Sequence, residues 1–80
     1  MPHDPPDDDD WIRARQQAVG GRIRAERLRR NLTQEAVHLT AGIDRRTLQA
    51  IEAGQANPTL ASLLRIARVL GVPLAELLGE

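Results

Sequence analysis

A chain of 80 residues with no cysteine, one tryptophan and no phenylalanine or tyrosine has room for one small domain on an aliphatic core, without disulfides or thiolate metal sites. Its formal charge of zero conceals a split: residues 1–10 hold five aspartates and no arginine, while residues 11–80 hold all eleven arginines against six carboxylates. That asymmetry points to a polyanionic partner for the basic part. No apolar run approaches a membrane span, and the acidic start lacks a signal peptide's basic region, so a cytoplasmic location is expected.

In chain order, residues 1–10 (MPHDPPDDDD) cannot pack a core and read as a mobile, proline-rich arm ahead of a domain spanning 11–80. Asp7 to Asp10 stand where carboxylates can cap a helix and favour its dipole; solubility and competition with a polyanion are the arm's other readings. The spacing of Trp11, Ala18, Val19, Ile23 and Leu28 predicts a first helix over 11–30. Gly20-Gly21 weakens its middle by about 1 kcal/mol per glycine, enough to allow a kink or break. Arg22, Arg24, Arg29 and Arg30 give it a basic exposed side.

Thr33 is a natural N-cap for a second helix, with Gln34 and Glu35 in its first turn. That helix ends before Gly42, where a sharp turn favours a residue able to take positive φ. Asp44 is positioned to cap a third helix from about Arg45 to Ala53, which stops at Gly54. Val37, Ile43, Leu48 and Ile51 are spaced to face a common core. Gln55 to Pro58 form a loop, and Thr59 caps a fourth helix with Leu60, Leu63, Leu64, Ile66, Ala67 and Leu70 on its buried side. Gly71-Val72-Pro73 breaks that helix, and Leu74 to Leu78 make a short fifth. With no strand pattern, the fold class is all-α, with five helices.

Five motifs then stand in register: Leu32-Thr33-Gln34-Glu35, Gly42-Ile43-Asp44, Ile51-Glu52-Ala53-Gly54, Asn57-Pro58-Thr59-Leu60 and Leu70-Gly71-Val72-Pro73-Leu74. From Ile23 to Leu78 the chain resembles the lambda-repressor-like helix-turn-helix domains of the Xre or Cro/C1 family, with the motif at 34–53. The resemblance implies a compact five-helix domain that regulates transcription, most often as a repressor. Its third helix would enter the DNA major groove, usually as a homodimer on a pseudo-palindromic site. Arg45 and Arg46 match the family's principal base-reading positions and Ala50 a third; Gln34 matches a phosphate-contacting position. Arg27 and Glu52 match a pair that often forms a buried salt bridge. Two departures stand out. His38 occupies a position usually held by a small residue, so its ring must splay the helices or find room elsewhere, and the loop Gln55-Ala56-Asn57 carries no basic side chain.

The residues themselves support these roles unequally. Positive charge in a helix's first turn opposes its dipole, so Arg45 and Arg46 suit an anionic or guanine partner better than local stability. Gln49, one turn after Arg45, is a further base-contact candidate, and Thr47 and Asn57 join Gln34 as phosphate-contact candidates. Leu74, Leu77 and Leu78 exceed what a short terminal helix needs and, with Trp11, are candidates for a dimer interface. His38 reads as a packing residue with one nitrogen bonded, not a metal ligand, since the only other histidine is His3. No nucleophile–base pair, metal cluster or phosphate-cradling glycine loop is present, so neither an enzyme, a cofactor nor a small-molecule ligand is expected. Double-stranded DNA is the expected partner; a protein-interaction adaptor or antitoxin-type partner on the same scaffold is the alternative.

Overall fold

The computed structural model describes residues 8–80 as five helices: α1 (Asp8–Arg29), α2 (Gln34–Ala41), α3 (Arg45–Glu52), α4 (Leu60–Leu70) and α5 (Leu74–Leu77). Residues 1–7, most of the expected arm, lie outside the described residues. Asp8, Asp9 and Asp10, assigned to that arm from sequence, instead form the first turn of α1. The described residues contain no strand.

The helix boundaries follow from local chemistry. The Thr33 hydroxyl accepts from the Ala36 amide at 3.0 Å, and the Thr59 hydroxyl accepts from the Ser62 amide at 3.0 Å; each satisfies an amide that the helix itself leaves without a partner. Gly42 closes α2 at φ 71° and Gly71 closes α4 at φ 72°, both in the left-handed region. Asp44 departs from expectation. It has N-cap backbone geometry, but its side chain makes no capping bond.

Gly20-Gly21 neither kinks nor breaks α1, which runs unbroken through both residues. The reason is packing. A Cβ at Gly20 would stand 2.1 Å from the carbonyl oxygen of Ile51, whereas one at Gly21 would meet nothing within 4 Å. Gly20 therefore lets the backbones of α1 and α3 approach more closely than any side chain would permit, and packing there offsets the weak helix propensity.

Ile23, Val37, Leu48, Ile51, Ile66, Ala67, Leu70 and Leu77 form the buried core, with Val19, Leu32, Ile43, Leu63, Val72 and Leu74 packed against it. On α4 the buried stripe is Leu63, Ile66, Ala67 and Leu70. Leu60 and Leu64, expected on that side, are 63% and 50% exposed. They sit off the narrow i, i+3, i+4, i+7 stripe that faces the core. Leu28 is likewise exposed, and no described helix is long and apolar enough to cross a membrane.

Candidate nucleic-acid interface

α2, the turn at Gly42 and α3 are held from below. Leu48, Ile51 and Glu52 are buried on one side of α3, which turns Arg45, Arg46 and Gln49 outward on the other. Among the described residues, neither arginine is held in an ion pair or hydrogen bond. Thr47 and Ala50 are half-buried on the flanks. The fold thus brings Arg45, Arg46 and Gln49 onto one exposed face and leaves Thr47 and Ala50 at its margins.

Beneath this face lies the ion pair expected between α1 and α3. Arg27 donates from Nε to Glu52 Oε2 at 2.8 Å and from Nη2 to Glu52 Oε1 at 2.9 Å. Its Nη1 donates to the Leu32 carbonyl at 2.8 Å. Both residues are buried, and the two-pronged geometry compensates the charges for the water they give up. The hydrogen bonds to Glu52 outweigh burial and raise the Arg27 pKa above its ordinary value. Gln34 joins the same cluster, donating from Nε2 to Glu52 Oε1 at 3.2 Å. Sequence reasoning assigned Gln34 to phosphate but did not anticipate this inward bond. The amide keeps a second hydrogen free for an outside acceptor.

The basic side expected on α1 is less available than its charge suggests. On α1, Arg29 pairs with Glu26 at 2.7 Å and Arg30 also bonds the Glu26 carboxylate; Arg30's hydrogen bond, then the charges of both arginines, hold the Glu26 pKa below its usual value against partial desolvation. Arg22 is half-buried against Gly79, with Nη1 buried and lacking a hydrogen-bond partner among the described residues. Of the basic side expected on α1, Arg24 alone is both exposed and without an ion pair among the described residues.

Asn57 is exposed and lines a shallow apolar groove of about 240 Å³ with Trp11, Ile12, Arg15, Val19 and Leu63. Arg15 lies 5.8 Å from the centre of the Trp11 ring, a cation–π contact that sequence reasoning missed although i, i+4 spacing could have signalled it. Among the proposed dimer residues, Leu77 must be withdrawn: at 0% exposure it closes the core. Leu74 packs partly against that core, leaving Leu78 and Trp11 as the exposed members. His38 is half-buried with Nδ1 3.1 Å from the Ile43 carbonyl oxygen, so its ring has found room in the turn. The described residues contain no group of three or more histidine, cysteine or carboxylate side chains able to hold a metal.

This arrangement has known counterparts. A helix-turn-helix family model matches residues 23–77. The chain is similar to the uncharacterized HTH-type transcriptional regulator y4dJ of Sinorhizobium fredii, at 37% identity over 59 residues, covering 74% of this chain and 77% of that protein. It is also similar to the cryptic phage CTXphi transcriptional repressor RstR of Vibrio cholerae, at 37% identity over 59 residues, covering 74% of this chain but only 53% of the repressor. Among solved structures, the restriction-modification controller protein C.AhdI from Aeromonas hydrophila superimposes with a TM-score of 0.77 at 33% identity, over 80% of this chain and 97% of the controller. With five helices in this order and a family match from Ile23 to Leu77, the chain belongs to the Xre/Cro-C1-type helix-turn-helix family of non-enzymatic, DNA-binding transcription regulators.

Proposed function

We propose that this protein is a sequence-specific transcriptional repressor, cytoplasmic and homodimeric, that inserts α3 into the major groove of a pseudo-palindromic operator. The observation that carries this reading is the outward face of α3: Arg45, Arg46 and Gln49 exposed together, with both guanidinium groups unpaired among the described residues. Arginine binds guanine O6 and N7 through two hydrogen bonds, worth about 1–3 kcal/mol of discrimination per good pair, so each half-site contains guanine. Ala50 at the margin offers a methyl group to thymine. Gln34, through its second amide hydrogen, together with Thr47 and Asn57, contacts phosphate and fixes the register. In a dimer, two copies of α3 sit about 34–36 Å apart, one helical turn of DNA. The likeness to a phage repressor and to a restriction-modification controller supports control of transcription by occupancy of a site.

Selection of bound sequences from random duplex DNA tests this reading. The expected result is a symmetric consensus with guanine in each half, bound with an affinity that falls steeply as salt rises. The exposed leucines Leu39, Leu60 and Leu64 favour one rival, an adaptor or antitoxin-type protein that uses the scaffold to hold another protein. That rival predicts no consensus and little dependence of duplex binding on salt.

A further inference from the structure

The first turn of α3, which carries Arg45 and Arg46, lacks the device that starts its neighbours. α2 and α4 begin on threonine caps, but Asp44 makes no capping bond. Just before it, the C-terminal end of α2 is tied to Ile43 by a latch across the turn. The Ile43 amide donates to the His38 carbonyl at 3.1 Å, and Nδ1 of the His38 ring lies 3.1 Å from the Ile43 carbonyl. The same two residues are therefore bonded twice, in opposite senses. The Gly42 amide adds a third bond to the His38 carbonyl at 3.0 Å. A carbonyl oxygen can only accept, so Nδ1 must carry the hydrogen. Ile43 packs its side chain on the core, and it is followed by Asp44, the N-cap residue of α3.

We infer that His38 is a positioning residue for DNA reading: through Ile43 it fixes the angle at which the N-terminal end of α3 leaves the turn, and so aims Arg45 and Arg46. This rests on the regulator reading above and names a residue of α2, outside the reading face, as a determinant of specificity. The opposite end of α3 is held independently by Glu52 on Arg27. A helix of eight residues is about 12 Å long, so an error of angle at the turn translates directly into misplaced guanidinium groups. Base readout requires placement within about 0.5 Å and 10–20°. Phosphate attraction has no such demand. Loss of the latch therefore lowers preference between sequences while leaving non-specific affinity intact.

Three proteins test this: wild type, His38→Leu, which keeps apolar volume without a donor, and His38→Asn, whose side-chain amide nitrogen can stand where Nδ1 stands. Nitrogen-15 spectra of the wild-type imidazole should report hydrogen on Nδ1 in the neutral ring. Preference for the selected duplex over an unrelated one should fall about three- to tenfold in His38→Leu, a loss comparable to part of the discrimination of one arginine–guanine pair. Non-specific affinity should be unchanged, and His38→Asn should retain the preference within about twofold. A neutral ring with hydrogen on Nε2 overturns the proposal. So does full preference in His38→Leu, or a loss in His38→Asn as large as in His38→Leu. If His38→Leu does not fold, the wild-type spectrum and the His38→Asn preference decide between these outcomes. Wild type without preference for any duplex defeats the regulator reading, and with it the aiming role, even where the spectrum still reports the latch.

Discussion

The two ends of α3 are built on opposite terms. Its C-terminal end is fixed: Ile51 and Glu52 are buried, Glu52 grips Arg27 and accepts from Gln34, and the backbone of α1 lies directly against it at Gly20. Its N-terminal end has exposed arginines in the first turn, a capless Asp44 and a latch to His38 in place of buried charge. An amphipathic helix carries its core on one face and exposed groups on the other, as buried Leu48 and exposed Gln49 do here. The charged groups are also separated by end, with the buried ion pair at the C-terminal end and the exposed arginines at the N-terminal end.

Substitutions at the fixed end should break the contrast most strongly. Glu52→Ala strands the Arg27 guanidinium in the interior and should cost about 3–5 kcal/mol, read as a shift in the midpoint of denaturant unfolding. At this domain size such a loss is a large share of total stability. Gly20→Ala should cost about 1–3 kcal/mol although alanine is the better helix former, because its methyl group meets backbone that cannot step aside. The neighbouring Gly21→Ala meets nothing and should stabilise by up to about 1 kcal/mol. Opposite signs at adjacent glycines would sharpen the claim that α1 and α3 are in backbone contact; equal signs would refute it.

A smaller effect separates the caps. Thr59→Ala removes a hydroxyl that satisfies the Ser62 amide and should lower stability by about 1 kcal/mol. Asp44→Ala removes no capping bond, so it should cost only the few tenths attributable to a negative charge near a helix N-terminus. Thermal melting of the two variants side by side resolves the difference. A cost at Asp44 equal to that at Thr59 would mean that α3 is capped after all.

Much of this architecture was legible in the chain. Thr33, Thr59, Gly42 and Gly71 announce helix boundaries because each supplies a property that few residues have, a hydroxyl acceptor or tolerance of positive φ. The Arg27–Glu52 pair was legible only through family resemblance, since nothing local to either residue reveals a partner 25 positions away. What sequence reading missed depends on tertiary geometry. Gly20 looked like a weakness in α1 because propensity is local, whereas the close approach of α3 is not. Leucines on most sides of α4 led Leu60 and Leu64 to be read as buried, whereas packing of α4 against α2, α5 and α1 turns both outward. Leu77 looked surplus to the core because a four-residue helix gives too few positions for a periodicity to emerge. At the interface, Arg45 and Arg46 were legible as charges opposing a dipole. The inward bond of Gln34 and the ring bond of His38 were not, since each requires knowing where another element's oxygen lies.

If Arg45 and Arg46 select the sequence without holding the fold, the Arg45→Ala, Arg46→Ala double variant separates the two roles. Its affinity for a selected duplex and for an unrelated one should be measured at a fixed salt concentration, alongside its melting temperature. The two affinities should converge while melting is unchanged or slightly raised, since two charges that oppose the helix dipole are gone. A preference between duplexes that survives the double substitution would mean that other groups select the sequence, and a steep fall in melting temperature would mean that the arginines hold the fold.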